Sequence, residues 1–201
     1  MESIRKGRWR TSILQRVHRV PFLVGLFLLF TLNGCMDFER ASFSIDVIEK
    51  VGEVNYFNIV SNSRDEQTVK DDFRALIKQV YFEPESKSDP ERITVNSLSR
   101  NKEELDGKIR FAFKDLQKVL KEYEIKTDGD GNYFLDVTKD GENYYIAGNG
   151  QSVERDSRRF LIWPKTVKRI EIEMKSKRFD ITTKTSLLKR WSDWVEQSLK
   201  E

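Results

Sequence analysis

Twelve residues from Pro21 to Leu32 carry no charge, and the segment before them is strongly basic. Arg5, Lys6, Arg8, Arg10, Arg16 and Arg19 stand against one acid, Glu2, a net charge of +5. As a helix the apolar run would be about 18 Å long at about 1.5 Å per residue, short of a hydrocarbon core of about 30 Å. A basic stretch followed by a short apolar run is the pattern of a secretory signal peptide and not of a structural helix. Residues 1–34 are therefore expected to be removed and are left out of the fold.

The run ends in Leu32-Asn33-Gly34-Cys35. This resembles the lipobox of bacterial lipoproteins: an aliphatic residue, a small residue, Gly or Ala, then Cys. The resemblance covers the leader alone. It implies that the Cys35 thiol carries a diacylglycerol with palmitate-type chains, and that Leu32 and Gly34 serve cleavage just before Cys35. The implied partner is the lipid bilayer, and the implied place is the extracytoplasmic side of a membrane. Met36 is not the Asp associated with inner-membrane retention, which favours the outer membrane where the source has two. Each acyl methylene moved out of water contributes about 0.8 kcal/mol, so several chains on one Cys would hold a domain firmly.

Without the leader the charge argument reverses. Residues 35–201 hold 30 basic and 32 acidic residues, net −2, so the whole-chain pI near 8.8 is set by the leader. No general nucleic-acid footprint remains. The balance is uneven: residues 157–201 hold 12 basic and 6 acidic residues, a section that could face anionic headgroups.

The only His, His18, is in the leader, and the only Cys, Cys35, is taken by the implied acylation. The remaining chain has no His or free thiol for Ser-His-Asp or Cys-His catalysis, and none for zinc, copper or haem ligation. Disulfides are likewise absent, so an exported domain must be held by its core. No G-x-G-x-x-G, P-loop, G-x-S-x-G or H-E-x-x-H pattern occurs. No cofactor is expected.

Residues 35–41 are expected to form a lipidated tether, and residues 42–201 a single α+β domain. Phe43, Ile45 and Val47 alternate with polar residues, as do Val54 and Tyr56, which predicts two strands around a turn at Gly52. Ser63 to Glu66 has the spacing of a capping box, and Val69, Phe73, Leu76, Ile77 and Val80 follow at helical spacing over 64–82. Ile109, Phe111 and Phe113 predict a strand; Leu116, Val119, Leu120 and Tyr123 predict a short helix. Strands are expected at Tyr133–Val137, Tyr144–Ile146, Phe160–Trp163, Ile170–Met174 and Phe179–Ile181, with Gly-containing turns between some of them. Leu187, Leu188, Trp191, Trp194, Val195 and Leu199 predict a final amphipathic helix. The expected architecture is an antiparallel, meander-type sheet with about three helices packed on one face.

Asp128, Asp130, Asn132 and Asp136 occupy places 1, 3, 5 and 9 of a calcium-loop pattern. Place 6 holds Tyr133 and place 12 holds Lys139, so a hairpin turn explains them better than a metal. The carboxylate pairs Asp71/Asp72, Glu103/Glu104 and Glu171/Glu173 are read as solvated faces. Trp191 and Trp194 are read first as core, with an interaction platform as the alternative; Tyr144 and Tyr145, which point to opposite sides of a strand, add a second candidate surface. The functional expectation is a non-enzymatic envelope domain that binds a protein or another envelope component. The alternatives are a small-ligand or lipid carrier with an apolar cavity, and an envelope enzyme built on carboxylates or a Ser/Lys pair.

Overall fold

The computed structural model describes residues 36–82, 92–138, 143–177 and 179–200. Cys35 and the expected leader lie outside them, as do residues 83–91 and 139–142.

The chain opens on a long hairpin. Strand β1 (Met36–Asp46) pairs antiparallel with β2 (Val51–Ser61) around a turn at residues 47–50. Residues 36–41, expected as a tether, are thus the first half of β1. A second hairpin, β3 (Arg92–Asn101) and β4 (Glu104–Ala112), pairs with β2 through β4. Three short strands follow: β5 (Lys126–Thr127), β6 (Tyr133–Asp136) and β7 (Asn143–Gly148). Then come β8 (Gln151–Arg155), β9 (Arg158–Trp163), β10 (Arg169–Ser176) and β11 (Thr185–Ser186). The α-helices are α1 (Glu66–Ile77), α2 (Leu116–Glu122) and α3 (Leu188–Ser198). None of the described helices is long and apolar enough to cross a membrane.

The α+β expectation of one meander roofed by helices is corrected by this arrangement. The described residues form a β-dominated fold of two antiparallel sheets with three short helices. The larger sheet runs β3-β4-β2-β1-β10-β7, with β11 beside β2, and the smaller runs β5-β6-β9-β8. Much of the additional strand is polar. Residues 36–41, 97–101 and 151–155 pair at edges or face water on one side, so they carry little of the apolar alternation by which strands are read.

The larger sheet has one apolar and one charged face. Ile172, Phe43, Val54 and Ile109 lie in register across four strands, and Ile170, Ile45, Gly52 and Phe111 form the next row. Gly52 leaves room that the Phe111 ring fills: a Cβ at Gly52 would lie 2.1 Å from Phe111 Cζ. Val69, Phe73 and Leu76 of α1, Val119 and Leu120 of α2, and Leu187 and Leu188 at the start of α3 cover part of this face. The second sheet supplies the rest through Tyr133, Leu135, Leu161 and Trp163, and all belong to one core. On the other face Arg40 pairs with Glu173 (2.5 Å), Lys108 with Glu53 (2.9 Å) and Arg169 with Asp46 (3.3 Å). Such exposed pairs contribute little stability individually and mark this face as solvated.

At Asn58 the backbone turns left-handed (φ 57°), a conformation Asn tolerates better than most residues. The ladder from β2 to β4 ends just before it, at Tyr56 and Gly107. Asp106 Oδ1 accepts the Asn58 N–H at 3.0 Å in place of a ladder carbonyl. Beyond that point β11 takes the position beside β2, pairing Thr185 with Ser61 and Ser186 with Val60.

Candidate functional site

The described residue nearest the sequence-predicted anchor is Met36, the first residue of β1. Leu32, Gly34 and Cys35 themselves lie outside the described residues.

The Trp stripe builds the most distinctive apolar surface. Helix α1 starts at Asp65, whose Oδ2 accepts from Thr68 N at 2.8 Å and from Thr68 Oγ1. The expected cap, Ser63, instead accepts from Asp65 N at 3.1 Å. The helix ends in a π turn over Lys78–Phe82, a widened turn often found at functional positions. It buries Val80 and leaves Tyr81 and Phe82 outside, Phe82 being 69% exposed. The Tyr81 ring stacks on Trp194 of α3 with centroids 5.0 Å apart, and Tyr81 Oη accepts the Leu98 N–H at 3.4 Å. Phe73, Ile77, Phe82 and Trp194 line a notch of about 270 Å³, with Arg74 and Lys78 at its rim. Trp191 packs against the core with its Nε1 buried. The two tryptophans thus divide the alternatives: Trp191 serves packing, while Trp194 packs and also faces a notch.

Tyr145 does not join them. It sits on β7, at the sheet edge opposite β3, half-buried against the core and under the Arg159 guanidinium 5.5 Å from its ring. The side chain of Tyr144 lies outside what is described.

A second surface lies on the outer face of the small sheet. Phe134 and Phe160 meet edge to face at 6.4 Å in an open groove of about 810 Å³. Lys121, Lys126 and Arg158 stand around it with Glu124 and Asp136. The Thr138 hydroxyl donates to Asp136 and, with the Thr138 N–H, holds that carboxyl below its ordinary range; Arg158 and Lys126 add to the effect.

The calcium-pattern residues serve a turn. Asp128 Oδ1 accepts from Asn132 N (2.8 Å) and Asp130 N (3.0 Å), and Oδ2 accepts from Asn132 Nδ2 (3.2 Å). The Asn132 N–H is the main cause that lowers the Asp128 carboxyl from its usual value. Gly131 takes φ +85°, and Asn132 Oδ1 accepts from Lys165 N at 3.2 Å. Among the described residues no group of three or more His, Cys, Asp or Glu is placed to hold a metal.

The carboxylate pairs are dispersed. Glu171 and Glu173 point to the charged face, near Arg169 and Arg40 respectively. Asp71 is exposed and held by Gln67 and Arg74. Asp72 is different: it is 5% exposed and takes the Ser61 Oγ–H at 2.5 Å. As one of the Asp71/Asp72 pair it was expected on a solvated face; the structure corrects this, because it falls three residues after Val69, on the buried stripe of the helix. Ser61 Oγ also accepts from Ser63 N (3.1 Å), so this buried pair ties the end of β2 to α1.

Between α1 and the sheet lies a cavity of about 20 Å³, lined in part by Gln79, Asn96 and Gly107. Gln79 Nε2 is buried with no hydrogen-bond partner among the described residues, and the cavity has room for one water. A lipid-sized ligand needs roughly 300 Å³ or more.

No protein-family model, curated protein or solved structure matches the chain.

Proposed function

We propose that this chain is a bacterial lipoprotein whose domain acts by binding a protein or another envelope component, while Cys35 fixes it to the bilayer. The observation that carries the reading is the order basic segment, apolar run, Leu32-Asn33-Gly34-Cys35, with a folded strand starting at the next residue. The notch beside Phe82 and Trp194 is the surface assigned to the partner, because it combines exposed aromatic area with a cationic rim. Aromatic side chains in a pocket are the groups that usually dominate binding energy at interfaces.

Mass spectrometry of the native product tests the anchor. Diacylglycerol on Cys35 and release of Cys35→Ser into the soluble fraction are expected. A free thiol at Cys35, or a Cys35→Ser protein that still sediments with membranes, would remove the reading. The partner is tested by a photo-crosslinking residue at position 82 in intact membranes. A specific adduct that weakens with Trp194→Ala is expected, and equal crosslinking from position 48, in the turn between β1 and β2, would count against the notch.

A further inference from the structure

Strand β1 leaves no slack between the anchor position and the folded sheet. Met36 already pairs with Ser61 across the ladder, and its carbonyl accepts from Asn62 Nδ2 at 3.3 Å. Asp37 is held by Lys184 Nζ at 3.0 Å, and that lysine side chain is only 7% exposed. Phe38, the third residue, is in the core. The Cα of Cys35 is therefore only about 3.8 Å from that of Met36, a fixed point of the sheet. A free tether of six residues would reach up to about 20 Å.

Resting on the proposal that Cys35 is acylated, we infer that the domain lies directly on the headgroups by the end of the large sheet where β1 starts, with the bilayer surface as the occupant of that end. Ser61 stands between Met36 and Thr185, so β11 is two strand spacings, about 10 Å, from the start of β1. The 3₁₀ turn Ile181–Thr183 comes just before it, joined by Lys184 N to Ile181 O at 3.2 Å. This turn carries Ile181, 51% exposed, and the half-buried Phe179 ring lies 5.7 Å from Lys184 Nζ. These are the apolar groups placed to enter the interface. Ionic groups at this end are mixed, with Arg64 beside Asp65 and Glu66, and Asp180 beside the turn. Contact is therefore set by the short connection and the apolar side chains, not by a basic patch. Ile48 is exposed to a similar degree (61%) but follows β1, whose ten rises of about 3.3 Å put Asp46 about 33 Å from Met36.

With Cys35 acylated the chain has no other thiol, so single cysteines introduced at Ile181 or Ile48 can be labelled uniquely. Full-length Ile181→Cys and Ile48→Cys proteins, with acylation of Cys35 verified by mass spectrometry, are labelled with a fluorophore and placed in phosphatidylcholine vesicles carrying a headgroup nitroxide. The label at 181 is expected to lose most of its emission and the label at 48 to keep it. A flexible Gly/Ser insertion of about six residues between Cys35 and Met36 adds about 20 Å of reach and should restore emission at 181. Equal quenching at both positions, no quenching at 181, or an insertion without effect would overturn the inference while leaving the anchor intact. An unacylated Cys35 would fail at the mass-spectrometry step and sink the anchor reading together with what rests on it.

Discussion

Asn149 Oδ1 accepts the Trp163 Nε1–H at 2.7 Å. The same oxygen accepts Glu171 N at 2.9 Å, and Asn149 Nδ2 donates to Arg169 O at 2.8 Å. One amide therefore joins β9 of the small sheet to β10 of the large one. Trp163 is 1% exposed, and a Cβ at neighbouring Gly150 would come within 2.7 Å of its ring. Asn149→Ala is expected to destabilise the domain by about 1–2 kcal/mol, since it leaves the buried Trp163 indole N–H without its partner, whereas the exposed Glu171 N–H and Arg169 carbonyl can turn to water. Asn149→Asp keeps the acceptor and loses the donor, so it should fall between wild type and Ala. Urea denaturation measures both, and a cost near zero for Asn149→Ala would refute the joint.

Gly52→Ala tests the packing of β2 under Phe111. The added methyl must displace a ring that is 1% exposed, so a loss of about 1–3 kcal/mol is expected from overpacking. Phe111→Leu should recover part of that loss in the double mutant, a coupling that a double-mutant cycle reads directly. Additive effects would show that the two residues do not share the space.

Acid should weaken this fold in a defined window. Backbone N–H groups of Glu49, Thr68 and Asn132 are the main causes that lower the carboxyls of Asp46, Asp65 and Asp128. The Thr138 and Thr182 hydroxyls do the same for Asp136 and Asp180. Their folded values lie below the unfolded value of about 3.9, so their contribution is complete above that pH and is lost as pH falls through the folded values. The urea midpoint should be flat from neutral to about pH 5 and decline below about pH 4. Asp128→Asn keeps an acceptor for the turn but cannot titrate, and should make that decline shallower. An unchanged slope would show that this turn is not part of the acid response.

Phe82 and Trp194 separate folding from recognition. Phe82 is 69% exposed, so Phe82→Ser should change stability by no more than about 0.5 kcal/mol while reducing capture of a partner at the notch. Trp194→Ala also removes the stack on Tyr81, an aromatic pair worth about 0.5–1.5 kcal/mol beyond its burial. A thermal melt distinguishes them, and a large loss from Phe82→Ser would contradict its placement.

The amphipathic elements were legible because burial leaves a period. Val69, Phe73, Leu76 and Ile77 marked α1, and Leu187, Leu188, Trp191 and Trp194 marked α3, to within a turn at their ends. Phe43, Ile45, Val54 and Tyr56 marked the first two strands. Gly52 was misread as the turn because a glycine under an aromatic ring and a glycine in a reverse turn look alike in a sequence; the turn itself uses Lys50 at φ 53°. The polar strand β8 and the start of β1 were missed because exposed or edge-paired strands carry no stripe. The second sheet was not separated from the first because alternation shows that a residue faces inward, not which sheet it belongs to. Asp72 was passed over because a second carboxylate in an acidic pair reads as solvent-facing, while its pairing with Ser61 is a long-range fact.

Strand β1 is flanked by β2, its immediate successor, and by β10, which begins more than 120 residues after β1 ends. Until residues 169–176 have emerged, one margin of the opening hairpin is an uncapped template for any other extended chain. The domain therefore cannot close progressively as it leaves a ribosome or translocon. It must be shielded as an unfinished half-sheet and then assembled almost at once, with the last quarter of the polypeptide completing the first.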